Sequence, residues 1–173
     1  MNIGEKMSII VKMFSKANSG PNSGEVIRIW NEVVKEGNAF PQTDTLDIKN
    51  GIEFFEGQSY TGAAFDDETG AVVGMYILHP NNVGRCGHIC NASYAVDNKM
   101  RGKHIGEVLV KDCMKKAKEL GFKILQFNAV VATNEKALRL YKRLGFTQLG
   151  VIPKGFKLDS GRYEDIIPHY IEL

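Results

Sequence analysis

Short apolar runs rich in β-branched residues alternate along this chain with stretches whose apolar positions recur every three or four residues. The run Ser8 to Phe14 has its β-branched residues at the centre and predicts a first strand. Turn chemistry follows at Asn18-Ser19-Gly20-Pro21. Asn22 and Glu25 then stand three apart, as a helix cap and its reciprocal partner do. Val26, Trp30 and Val33 fall on one face of that helix, and Gly37 ends it. A second helix is predicted from near Asp44 or Thr45, with Ile48, Ile52 and Phe55 as its apolar stripe. Three strands follow, over Tyr60 to Phe65, Ala71 to Leu78 and His88 to Val96. Asp67-Glu68-Thr69-Gly70 joins the first two as a hairpin, and His79-Pro80-Asn81-Asn82 is the loop before the third.

From Gly102 the period lengthens. Ile105, Leu109, Cys113, Ala117 and Leu120 form a helical stripe closed by Gly121. Phe122 to Val131 reads as a strand, Asn134 to Leu144 as a helix and Phe146 to Ile152 as a strand. Tyr163 to Leu173 adds a final strand, with Pro168 arguing against regular pairing at its centre. This order predicts a mixed α/β sheet, antiparallel hairpins first and crossover connections later.

Composition narrows the functional classes. A chain of 173 residues suits one compact domain over residues 1–173, and folding at that size buries about 70% of the chain's surface. A net charge of +2 is too small for a dedicated nucleic-acid binder, so any anion site must be local. The three cysteines, Cys86, Cys90 and Cys113, have the wrong parity for a disulfide framework and point to a reducing cytoplasm. No signal peptide or membrane-spanning run is legible, so no membrane partner is expected.

The chemistry concentrates in Arg101-Gly102-Lys103-His104-Ile105-Gly106, between a strand and a helix. A helix N-terminus offers free N–H groups and positive partial charge, so acids are expected there. Here the opening turn is basic, with Glu107 the nearest following acid. A bound anion would offset that repulsion, and the glycines would let backbone approach it. The plainer alternative is a solvated basic turn. Neither the nucleotide P-loop nor the dinucleotide spacing is met.

Arg-Gly-Lys-x-Ile-Gly after a strand ending at Val96 resembles the acetyl-CoA pyrophosphate motif of the GNAT superfamily of N-acetyltransferases. The segment from Asn134 through Ala137 and Tyr141 to Gly145-Phe146 resembles that superfamily's second motif, Asn-x-x-Ala-x-x-x-Tyr-x-x-x-Gly-Phe. His104 stands where the family usually has glycine. The resemblance implies a GNAT fold with splayed central strands and acetyl-CoA as co-substrate. It implies that Arg101, Gly102, Lys103, His104, Ile105 and Gly106 hold the pyrophosphate. The pantetheine arm would pair with Ala95 and Val96, Asn134 would contact the cofactor, and a strand N–H would stabilise the oxyanion. Tyr141, on the inward face with Ala137 and Leu144, would donate a proton to the leaving thiolate. Without the motif, the commoner role for such a residue is a core tyrosine bonded to a carbonyl.

Polar residues inside the apolar strands mark an acceptor pocket. Gln126 and Asn128 share one strand face, Asn91 and Ser93 share another, and buried polar groups are costly unless satisfied. They either satisfy backbone at a sheet bulge or recognise an amino or carboxylate group. Phe127 to Asn134 resembles members that act on small amino acids and related amines, above all those acetylating azetidine-2-carboxylate or similar toxic analogues. Cys86, His88 and Cys90 would alternate along one strand face, with the outer pair roughly 13 Å apart, so a metal site would need that segment looped and no metal is expected. Cys113 belongs to the core stripe. Lys115, Lys116 and Lys118 are a solvated face at a helix end.

The sequence thus predicts an acetyl-CoA-dependent N-acetyltransferase acting on a small-molecule amine by direct attack in a ternary complex. Glu53, Glu56 and a water held by Asn91 or Asn128 are the open choices for the base. The early helices, Phe40-Pro41 and the loop Pro153-Lys154-Gly155-Phe156 would select the acceptor. A homodimer is compatible with this reading. The rival is a noncatalytic acyl-CoA-binding module.

Overall fold

A computed structural model describes residues 7–15 and 22–173 of the chain. The expected turn at 18–21 lies outside the described residues. In chain order the elements are β1 (Ile9–Met13), α1 (Ser23–Glu36), α2 (Ile48–Glu56), β2 (Tyr60–Asp66), β3 (Val72–Pro80) and β4 (Ile89–Val96). They continue with α3 (Ile105–Glu119), β5 (Ile124–Val131), α4 (Glu135–Arg143), β6 (Thr147–Gln148), β7 (Ile152–Lys157) and β8 (Tyr163–Glu172). Short 3₁₀ turns occupy Gly84–Cys86 and Asn98–Met100.

The strands form one mixed eight-stranded sheet in the order β1-β2-β3-β4-β5-β8-β6, with β7 also on β8. Its pairs are antiparallel except β4 with β5, which run parallel on either side of the α3 crossover. The crossover length of α3 forces that exception.

Two cores flank the sheet. Trp30 of α1 packs against Phe40, Phe54 and Phe55 at ring separations of 4.5–5.6 Å on one side. Ile105, Leu109, Cys113 and Ala117 of α3 bury the predicted stripe on the other, while Leu120 becomes the half-exposed cap.

Where the elements depart from the sequence reading, a particular contact decides. Asn22 makes no side-chain capping bond, because its own backbone is already helical and Glu25 turns to Arg28 at 2.9 Å. The second helix starts at Ile48, later than expected. Asn31 clamps both backbone groups of Leu46 at 2.8 and 2.9 Å, and Asp47 then caps by accepting from the Asn50 N–H at 2.7 Å.

The strand expected over Phe146 to Ile152 is split into β6 and β7. The expected loop at Pro153 to Phe156 is part of β7, bulged so that Lys154 takes φ 56°. Pro168 lies inside β8, opposite the place where β5 carries an extra residue between Phe127 and Val130. On its other side the ladder changes partner from β6 to β7, so the missing N–H falls in a gap.

Candidate active site

Among the described residues the parallel pair β4–β5 is in register only at Ile89–Ile124 and Cys90–Leu125, with the Lys123 and Ile124 N–H groups donating to the His88 carbonyl just before it. Beyond that point the strands diverge, and β4 continues to Val96 with that edge open. The ladder to β3 fixes which groups face the gap. Asn81 donates to the Ile89 carbonyl at 2.8 Å and Asp97 to that of Val73 at 3.0 Å. In this register the backbone of residues 91, 93 and 95 also points to β3. The N–H and C=O groups of Ala92, Tyr94 and Val96 therefore face the gap. The Val96 backbone thus faces the gap. The Ala95 backbone faces Met75 instead, and its side chain is buried in the α1 core.

At the far end of β4 the chain turns through residues 101–106 into α3. Glu107 and Val108 are the first N–H groups there to reach a carbonyl, that of His104, at 3.1 and 3.3 Å. The N–H groups of residues 102–106 have no acceptor among the described residues. This turn forms one wall of an open cleft of about 550 Å³, which reaches Val96, Glu36, Asn134, Lys136 and Arg139. Arg101 lines it but is paired with Glu36 at 2.7 Å, so an anion must take it from that carboxylate. The Lys103 ammonium turns instead to the Met100 sulfur at 3.6 Å, and Lys103 does not line the cleft. Glu107 is held by Lys111 and Arg143, each at 2.7 Å, and their hydrogen bonds pull its carboxyl down to about 2. The Arg143 bond ties the opening of α3 to the end of α4.

His104 explains the family's glycine. It caps α3 with φ 62° and ψ 12°, the left-handed region where a Cβ is strained by about 1–2 kcal/mol. Its ring is exposed and reaches Glu107 only at 3.9 Å. His104→Gly is expected to raise stability by about 0.5–1 kcal/mol once glycine's greater chain entropy is offset. Thermal unfolding should show a gain of about 1–4 °C. A lower melting temperature would mean that the ring, not the backbone, holds the turn.

A smaller inner cavity of about 200 Å³ sits in the gap itself, lined by Asn91, Ser93, Tyr94, Asn128, Asn134 and Tyr141, with Phe40 and Pro41 from the α1–α2 connection. Asn134 caps α4 by accepting from the Ala137 N–H at 3.3 Å and borders both spaces. Asn128 is exposed rather than buried, because the diverging strands open its face to water. The bulge the sequence reading allowed is present beside it, between Phe127 and Val130.

Tyr141 packs on Phe127 at 4.5 Å, Phe146 at 5.4 Å and His169 at 5.9 Å. Its hydroxyl takes part in no hydrogen bond among the described residues. Burial, reinforced by the nearby Cys113 thiol, pushes this phenol above its ordinary value, so it carries its proton at neutral pH. Glu53, Glu56 and the bulge at Pro153–Gly155 line neither space.

The structure also places residues that the sequence reading missed. Tyr94 forms the floor between the two spaces. Its buried hydroxyl lies by the Cys113 thiol without hydrogen-bond geometry, and burial pushes its proton affinity well up. Asn81, read only as a loop residue, joins the amides of Asn91 and Asn128. A lone loop asparagine gives no signal until the fold brings β5 beside it. Cys86 is exposed in a 3₁₀ turn, and the Cys90 thiol is buried against the Ile124 carbonyl at 3.2 Å. Among the described residues no His, Cys, Asp or Glu cluster could hold a metal. No helix among them is long and apolar enough to cross a membrane.

The sequence model of the acetyltransferase (GNAT) family matches residues 26–146. The chain is 38% identical to N-acetyltransferase aca1 of Schizosaccharomyces pombe over 63% of its length and 51% of that protein, so it spans about half of that relative. Its structure is similar to a GCN5-related N-acetyltransferase from Kribbella flavida, with a TM-score of 0.84 and 27% identity over 95% of this chain and 98% of that one. It shares its fold with a phosphinothricin acetyltransferase from Sinorhizobium meliloti solved with AcCoA. There the TM-score is 0.85 and the identity 19%, covering 96% of this chain and 89% of that one.

Proposed function

The chain belongs to the acetyltransferase (GNAT) family, and on that premise we propose that it moves an acetyl group from acetyl-CoA to the nitrogen of a small amino acid or amino-acid analogue. Attack is direct, in a ternary complex. The observation that carries this reading is the gap between β4 and β5, with unpaired strand groups on one edge, an amide cluster at one side and the Tyr141 hydroxyl at the other. The relative from Sinorhizobium meliloti supports the acceptor class through its name, phosphinothricin being an amino-acid analogue.

Acetyl-CoA, when bound, supplies the thioester carbon that the amine attacks and the thiolate that departs. The residues present fit it. Free N–H groups over residues 102–106 suit a diphosphate, with Arg101 adding charge. The open edge of β4 at Tyr94 and Val96 suits an amide-bearing arm that pairs as a strand would. An N–H on that same edge is placed to receive negative charge developing on the carbonyl oxygen. Asn134 fixes the start of α4 and so the position of Tyr141, two turns further along the helix.

Tyr141 gives its proton to the departing sulfur. Burial raises the phenol's proton affinity and keeps its proton in place until the sulfur departs. Among the described residues no Asp or Glu lines the inner cavity. The amine therefore enters neutral, and its proton leaves through water held by Asn91 or Asn128.

Thiol release measured across amino acids, polyamines and short peptides tests the reading. Turnover is expected with amino acids. Acetyl-CoA binding without thiol release for any acceptor would make the protein a noncatalytic binder instead. Asn128→Ala is expected to raise the amino acid's KM about 10–100-fold, the loss of a hydrogen bond to a charged group, while the KM for acetyl-CoA stays put. If both constants and kcat are unchanged, Asn128 does not touch the acceptor.

A further inference from the structure

We infer that Asn81 sets the hydrogen-bonding sense of the acceptor site, and through it the preference for an amine that carries a carboxylate. The inference rests on the amino-acid reading above. Asn81 follows directly on β3, and its backbone N–H is anchored to the Ile89 carbonyl at 2.8 Å, at the foot of β4. Its side chain lines neither cavity. It faces Asn128 in a reciprocal amide pair, donating to Asn128 Oδ1 at 3.1 Å and accepting from Asn128 Nδ2 at 2.7 Å. Its Oδ1 also accepts from Asn91 Nδ2, at 3.4 Å. Gln126 completes the cluster by donating to Asn128 Oδ1 at 2.9 Å.

The inventory of donors and acceptors then has a direction. A carbonyl oxygen has two lone pairs and an amide nitrogen two hydrogens. Both lone pairs of Asn128 Oδ1 are taken, so what Asn128 has left for a ligand is one N–H. Both lone pairs of Asn81 Oδ1 are taken as well. Asn91 gives one N–H to Asn81, which leaves its own Oδ1 as an acceptor beside its second N–H. Asn91 and Asn128 both line the inner cavity. The site therefore offers a donor from β5, and an acceptor and a second donor from β4. That set is complementary to an α-amino acid, its carboxylate on the Asn128 N–H and its amine N–H on Asn91 Oδ1.

An amide's two ends are nearly equal in shape, so only the partners decide which end faces the ligand. Asn81 is the partner that touches both. Without it, Asn91 loses its tie and Asn128 keeps only Gln126, and either amide can turn over at little cost. A carboxylate is satisfied only by a donor, whereas a primary carboxamide is satisfied by a donor or an acceptor. Loss of Asn81 should thus erode the preference for the acid over its amide, where a merely structural loss would weaken both alike.

The test compares L-azetidine-2-carboxylate, L-proline and L-alanine, each against its primary carboxamide, in wild type, Asn81→Leu and Asn81→Ala. The alanine variant serves where leucine perturbs the turn. Wild type is expected to favour the acids, and the variants to lose at least about tenfold in the acid-to-amide ratio of kcat/KM, with the acetyl-CoA KM unchanged. Calorimetric affinity for the preferred acid should fall in step. If wild type favours the acids and both variants keep the ratio within about threefold, Asn81 has no such role while the amino-acid reading stands. If wild type releases no thiol with any of these acids, or acetylates their amides equally well, the amino-acid reading and this inference both fail.

Discussion

Tyr141→Phe is expected to lower kcat by roughly 10²–10⁴-fold, about 3–5 kcal/mol of transition-state stabilisation, with the fold and the acetyl-CoA affinity preserved. The substitution keeps the ring that packs on Phe127, Phe146 and His169 and removes one hydroxyl. A tyrosine bonded to a core carbonyl would instead cost about 1–3 kcal/mol of stability and little rate. Tyr141 has no such carbonyl among the described residues, so the melting temperature should stay near wild type. Because burial raises its proton affinity, the phenol stays protonated throughout the neutral range. The rate should therefore rise with pH as the acceptor amine loses its proton, with no fall from Tyr141 below about pH 10. If kcat falls by less than about threefold while chemistry limits the rate, the proton comes from another group.

Gly106→Trp is expected to abolish acetyl-CoA binding in calorimetry and leave circular dichroism unchanged. Gly106 sits in the first turn of α3 and lines the wall of the outer cleft. A Cβ built there meets only Leu140 Cδ2, at 3.7 Å, an ordinary contact, so the backbone has no need of glycine for its own sake. Gly106→Ala should therefore fold normally and bind acetyl-CoA within a few-fold of wild type. An indole at the same point occupies the space beside the free N–H groups of residues 102–106, where a diphosphate must approach backbone closely. Unchanged affinity in a folded Gly106→Trp variant would remove the turn from the binding site.

The two motifs were legible because each carries its physics locally. A basic, glycine-bearing turn ahead of an apolar helical stripe is a statement about a helix N-terminus, and residues 101–106 are found there. Tyr141 shares a helical face with Ala137, and the face turns inward as the period requires. What the motif could not say is why glycine is usual where His104 stands. The backbone answers that, since the position has φ 62° and glycine is its unstrained occupant.

Other expectations shifted when a distant residue took a local group. Asn31 holds Leu46 extended, so the second helix cannot begin where Asp44 and Thr45 invite it. Arg28 draws Glu25 away from Asn22 and gathers Glu32 and Asp97 as well. Burial there penalises the Asp97 carboxylate, but Arg28 and the Lys99 N–H more than offset it and hold its proton affinity below the ordinary value.

The sequence by itself determined the alternation of strands and helices, the turn that opens α3, the tyrosine of α4 and the family to which these motifs belong. Each follows from a period of two or of 3.6 residues, or from a backbone need met within a few positions. Only the tertiary structure decided which side of β4 meets the gap, because that depends on the register with β3, and it gave the open edge to Tyr94 and Val96 rather than Ala95. It decided as well that Asn81 stands against Asn128, 47 positions away, since no local period relates a loop after β3 to the middle of β5. Hydrogen bonds between side chains that distant exist only once the sheet has been assembled.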